Sequence, residues 1–210
     1  MQNKNLSLDT NKLRSQARQY VEQGAVTVGY SADKAEVIKR LNDSLATEIV
    51  CVLRYRRHHF TAKGIHSRSV ADEFLAHSNE EQGHADQIAE RIVQLGGEPD
   101  FSPDSLTLRS HAEYVEGSTL FDMIKENIVA ERIAIDSYRN FIQYLQDNDP
   151  TTKRMLESIL AVEEEHADEL ADLLPDVGHA KAAAAENAEE AGEKKKPKAE
   201  QQTKSPKAKK

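Results

Sequence analysis

Apolar residues recur every three or four positions along four separate segments of this 210-residue chain, and the links between the segments run short, long, short. Three-and-four spacing lines one face of a helix, whereas a strand would alternate. The first segment runs from about Ser31 or Ala32 to Lys63 and stops at Gly64. The second runs from about Ser67 to Leu95, before Gly96-Gly97, and the third from about Gly117 or Ser118 to Asp147. The fourth starts after Asp149, with Pro150 at the first helical position, and is expected to stop at Pro175. The links near 64–66 and 148–149 suit hairpins, while the link from Gly96 to Glu116, about 20 residues, can travel the length of a bundle. Two antiparallel hairpins joined by one long crossover predict an all-α antiparallel four-helix bundle. Its helices would be roughly 40 Å long at 1.5 Å per residue.

The flanks read differently. Residues 1–30 form a polar, flexible arm with a short helix around Leu13 to Glu22, residues 31–174 form the bundle, and residues 175–210 form a disordered Lys/Ala-rich tail. The chain carries a net charge of −8, divided unevenly. Residues 31–174 hold 28 Asp/Glu against 15 Lys/Arg, and residues 193–210 hold 8 Lys against 2 Glu. An acidic body attracts cations and repels nucleic acid; the basic end does the opposite. The longest strongly apolar run is Ile49 to Leu53, so no segment approaches the roughly 20 residues of a membrane helix. No export signal is visible at the N-terminus, and a cytoplasmic location is expected. A single cysteine, Cys51, excludes an intrachain disulfide framework and a four-cysteine metal site.

The apolar seams are interrupted by charge. The first reads Leu41, Leu45, Glu48, Val52, Tyr55, His59; the second Val70, Phe74, His77, Glu81, His84, Ile88, Leu95. The third reads Ile124, Ile128, Glu131, Ile135, Tyr138, Ile142, Leu145; the fourth Leu156, Ile159, Glu163, His166, Leu170, Leu173. Each helix therefore places one carboxylate on its buried face, and the second and fourth add a histidine one turn on. With 22 Glu and 8 His in the chain, two Glu-x-x-His pairs carry little weight alone. The combination carries more. Glu48 to Tyr55 and Glu131 to Tyr138 are both 7 residues, and Glu48 to Glu81 and Glu131 to Glu163 are 33 and 32. Four buried, converging carboxylates repel one another and are costly unless cations sit among them. Two divalent ions would balance four carboxylates. Mixed carboxylate and imidazole donors suit iron or manganese, and the lack of thiolate disfavours structural zinc.

These residues resemble the ferritin-like superfamily, most closely the bacterioferritins: Glu48 and Glu131 with E81-Q-G-H84 and E163-E-E-H166, over about residues 31–174. The resemblance implies a ferroxidase with two iron ions per subunit (manganese being the other candidate). It would oxidise Fe(II) with O2 or H2O2 and store the mineral in a hollow homo-oligomer. It also implies that Glu81 and Glu163 bridge, Glu48 and Glu131 are terminal, and His84 and His166 each hold one metal. Tyr55 and Tyr138 would hydrogen-bond the ligands. Haem is not expected, because Gln82 stands where bacterioferritins carry a haem-ligating Met. Residues 176–192 lack the larger apolar residues of the fifth helix of 24-subunit shells, so a 12-mer is favoured. The chain thus resembles Dps-like, DNA-protecting ferritins with an intrasubunit site, although that group often has a cysteine pair and this chain has only Cys51.

Two other readings stay open. One is a manganese or iron peroxide-consuming enzyme on the same bundle. The other is a nucleoid-associated protein that binds DNA through the 193–210 lysines. His77 is read as a partly exposed structural histidine, with iron ingress or inner-surface binding as the other reading. His58 and His59 are read as favourable charges at a helix C-terminus, and Asp168 as a solvated or salt-bridged residue.

Overall fold

The computed structural model describes residues 9–64 and 67–193, with residues 176 and 178–193 described by backbone alone. Its helices are α1 Thr10–Gln16, α2 Lys34–Thr61, α3 Ser67–Gln94, α4 Leu106–Arg109, α5 Leu120–Leu145 and α6 Pro150–Glu193. No strand occurs among the described residues. The long helices start where polar side chains satisfy free amides. Asp33 accepts from the Ala35 and Glu36 N–H groups, Thr119 and Asp122 form a reciprocal capping box, and Asp149 accepts from the Thr152 N–H.

Helices α2 and α3 form one hairpin and α5 and α6 the other, with α2 also against α5 and α3 against α6. The crossover runs back along the whole of α2. Asn42 donates to the Glu98 carbonyl, Thr47 accepts from the His111 N–H, Arg54 donates to the Glu113 carbonyl, and Arg57 donates to the Glu116 carbonyl. This route returns the chain to the far end of the bundle, so α5 runs antiparallel to α2.

Two apolar clusters fill the bundle. One contains Leu41, Leu45, Ile88, Ile92, Phe141 and Leu156; the other contains Cys51, Phe74, Ile124 and Leu170. The layer between them is where the charged seam residues fall.

Several boundaries differ from the sequence reading. The fourth long helix does not stop at Pro175 but continues to Glu193. Proline forfeits one backbone bond, but Pro175 is solvent-exposed, as is Ala171, whose carbonyl loses that bond and can take water instead. The following Ala/Glu-rich stretch has high helix propensity. Residues 175–193 are therefore helical, and the rest of the expected disordered tail, 194–210, lies outside the described residues. In the N-terminal arm, α1 starts at Thr10 because Asp9 caps it through the Asn11 and Lys12 N–H groups, and it ends at Gln16. A single 3-10 turn follows at Val21–Gln23. Val26, Tyr30 and Ala32 pack on the first cluster, so this part of the arm is docked; residues 1–8 lie outside the described residues. The four-residue helix α4 in the crossover is too short to show a period. Finally, His58 is buried and burial pushes its ring down to about 4, so it is neutral and bonded to the Glu116 carbonyl, not a charge at a helix end.

Asp149 ties these parts together. It pairs with Arg91 at 2.9 Å, accepts from the Thr152 hydroxyl at 2.6 Å and accepts from Tyr30 at 2.9 Å. Burial alone would push this carboxyl up, but Thr152, Tyr30 and Arg91 outweigh it and hold it below its usual range. Replacing Asp149 with Ala strands Arg91 and removes the α6 cap. We expect Asp149→Ala to lower unfolding stability by about 3–5 kcal/mol in chemical denaturation of the metal-free protein.

Candidate metal centre

Seam carboxylates from all four long helices meet in the layer between the two apolar clusters. Glu48 on α2, Glu81 on α3, Glu131 on α5 and Glu163 on α6 are each at most 1 % exposed. His84 and His166 join them, each three residues past a glutamate on the same helix. Donor atoms of Glu48, Glu81, His84 and Glu163 lie within 4.8 Å of one another, and so do those of Glu81, Glu131, Glu163 and His166. Glu81 and Glu163 belong to both sets, so two metal positions would share them.

Several polar atoms of the layer lack a hydrogen-bond partner. Glu81 Oε1, Glu131 Oε2, both oxygens of Glu163 and His166 Nδ1 are buried without a hydrogen-bond partner. Buried polar atoms are otherwise almost always paired. The other atoms of these groups are held. Tyr55 on α2 donates to Glu131 on α5, and Tyr138 on α5 donates to Glu48 on α2. Each tyrosine therefore serves the carboxylate of the opposite helix. His84 Nδ1 lies 3.0 Å from Glu163, 3.2 Å from Glu81 and 3.6 Å from Glu48. His166 Nδ1 lies 3.6 Å from both Glu81 and Glu163, while its Nε2 donates to Glu80 at 2.6 Å. A carboxylate on the far nitrogen fixes the tautomer and aims the near one inward.

The same donors also attract protons. Burial disfavours a charged ring at His84, but Glu163, Glu48 and Glu81 outweigh it and push it up to about 12. His166 is pushed up to about 11 in the same way, by Glu163 and Glu81 against burial. Burial raises Glu48 and Glu131 well above the carboxylate range, with Glu81 and Glu163 adding repulsion. Burial would raise Glu81 too, but the neighbouring His166 and His84 rings hold it low. Burial and nearby carboxylates likewise keep Tyr55 and Tyr138 protonated, as hydrogen-bond donors.

Sequence patterning brought forward all eight of these residues but not the groups that orient them. Glu80 lies off the apolar seam and has no pattern to mark it. Arg54 is 1 % exposed and donates to Asn127 at 2.9 Å beside Tyr55; in sequence nothing sets it apart from the neighbouring Arg56 and Arg57. His77, read as partly exposed, is 1 % exposed, and its ring stacks on His166 at 4.0 Å. Asp168 is exposed, as read.

A family model described as Ferritin-like domain matches residues 38–178. A bacterioferritin from Desulfovibrio desulfuricans is 28% identical over 134 residues, covering 63% of this chain and 71% of that one. A nutrient stress-induced DNA-binding protein from Nostoc is 31% identical over 143 residues, covering 67% of this chain and 78% of its own length. Among solved structures, a dodecameric thioferritin, the bacterioferritin-related protein of Bacteroides fragilis, superposes with a TM-score of 0.68 at 30% identity, covering 72% of this chain and 91% of that one.

Metal ions must displace the centre's protons. Both imidazoles and both outer carboxylates, Glu48 and Glu131, are pushed toward their protonated forms. Metal affinity is therefore expected to fall as pH is lowered and to rise with pH. Calorimetric titration with Co(II) in two buffers of different ionisation enthalpy should show at least the two imidazolium protons released per subunit.

Proposed function

Because the chain belongs to the ferritin-like family, we propose that it is a ferroxidase and iron store, oxidising Fe(II) with O2 or H2O2 at an intrasubunit pair of metal positions. The observation that carries this reading is the pair of overlapping four-donor sets sharing Glu81 and Glu163. Glu48 and His84 complete one position, and Glu131 and His166 the other. Carboxylate and imidazole donors without thiolate suit iron or manganese, and four carboxylates offset the charge of two divalent ions. They also favour the trivalent product, whose extra charge a buried anionic site stabilises.

Each Fe(II) gives up one electron. With peroxide, two Fe(II), one H2O2 and two protons yield two Fe(III) and two water molecules. The chain's own groups prepare this chemistry. Tyr55 and Tyr138 hold the terminal carboxylates in place, and Glu80 fixes the His166 ring. The two apolar clusters close both ends of the layer against water.

We read the assembly as a hollow homo-oligomer, a 12-mer in preference to a 24-mer, as in the dodecameric Bacteroides fragilis relative. No described helix is long and apolar enough to cross a membrane, and a cytoplasmic location is part of the proposal. Eight lysines in 193–210, together with the similarity to the Nostoc DNA-binding protein, support a second role on DNA.

Three outcomes are expected. Glu131→Ala should slow the fast phase of Fe(II) oxidation by more than about 100-fold in stopped-flow absorbance, since even outer-sphere changes cost 10–100-fold; an unchanged fast phase argues against the assignment. Light scattering with metal analysis should give a large cage; a monomer or small oligomer favours the alternative, a peroxide-consuming di-metal enzyme. Truncation after Glu193 should weaken a low-salt DNA gel shift, and equal shifts dismiss the DNA role.

A further inference from the structure

A third donor cluster lies outside the layer described above. His77 presents Nε2 to Glu169 at 3.0 Å and to Glu73 at 3.4 Å, across the α3–α6 interface. These three donor sets fall within 4.8 Å of one another. One ring N–H can satisfy one carboxylate well, so the second brings surplus negative charge onto the same nitrogen. The histidine is 1 % exposed, while the carboxylate side chains are 39 % and 45 % exposed, leaving an open side for water ligands. The cluster also lines a cleft of about 420 Å³ that reaches the central histidines, His84 and His166. Glu80 and Glu165 line it too, and among the described residues no Lys or Arg does.

We propose that Glu73, His77 and Glu169 form a third divalent-cation site, at the outer end of the cleft through which Fe(II) reaches the central pair. This rests on the ferroxidase reading above and adds its access site. A cation on Nε2 forces the ring proton onto Nδ1. That atom lies 3.3 Å from the Tyr55 hydroxyl. The Tyr55 oxygen then accepts from His77, while its own O–H stays in the hydrogen bond to Glu131. Occupancy of the outer site thus holds Tyr55 in the orientation that positions Glu131. His77 also stacks on His166, with ring planes 17° apart. The outer site therefore adjoins the Glu131–His166 position and not the Glu48–His84 one.

The test is anomalous diffraction from crystals of the full chain soaked in Co(II), a divalent stand-in that O2 does not oxidise readily in such donors. Three peaks per subunit are expected: two among the central carboxylates and one between Glu73, His77 and Glu169. Glu73→Gln/Glu169→Gln, a pair of half-exposed changes that leave the core intact, should remove the third peak and leave the central two. Two central peaks without a third in the unaltered protein would overturn this proposal while leaving the ferroxidase reading intact. A third peak that survives the double substitution would overturn it as well. An outer peak with an empty centre would instead count against the ferroxidase reading.

Discussion

Four carboxylates buried in one layer, between two apolar clusters, are the constraint on which this fold turns. Each leaves water at a cost of several kcal/mol unless its charge is met. No Lys or Arg is among the side chains that meet there; protonated histidines and tyrosine hydroxyls are. Tyr55 and Tyr138 cross between α2 and α5, so the hydrogen bonds that quiet the terminal carboxylates also join the two hairpins. Close contacts of His84 with Glu163 and of His166 with Glu81 join α3 to α6. The bundle is thus held at its middle by polar contacts and above and below by apolar ones. A pair of divalent ions in that layer would replace protons with stronger charge, coupling metal binding to stability.

Much of this arrangement was legible in the sequence, for a physical reason. Helical period and burial are linked, so a Glu in phase with Leu41, Leu45 and Val52 must face inward, and Glu48 does. Gly64, Gly96 and Pro150 marked where helices change over. Misreadings came where tertiary context outweighed local preference. Pro175 reads as a stop, yet its missing bond falls on an exposed face ahead of a strong helix-forming stretch. His58 and His59 differ by one position, and the seam reading took His59 as the inward one. In the structure His58 is buried against Phe74 and the Glu116 carbonyl, which comes from the distant crossover. His77 read as half-exposed because nothing local shows that α6 brings Glu169 across to it.

The repeat between the two halves is close but incomplete. Glu48 corresponds to Glu131, Glu81 to Glu163 and Tyr55 to Tyr138. The orienting groups break the match. Glu80, before Glu81, holds His166, whereas Val162, before Glu163, can hold nothing. His77, four residues before Glu81, reaches Tyr55; its counterpart is Ile159 in the apolar core. The Glu131–His166 side therefore has the more polar surround, while the Glu48–His84 side rests against the larger apolar cluster; the cleft reaches both histidines.

The central claim is that the two positions are adjacent within one subunit. Electron paramagnetic resonance tests it most directly. The metal-free full chain would be loaded anaerobically with two Fe(II) per subunit and then oxidised. Adjacent Fe(III) ions sharing Glu81 and Glu163 would couple their spins, so the account predicts a nearly silent spectrum with iron fully retained. A strong low-field signal from isolated high-spin Fe(III), accounting for most of the iron, would contradict it.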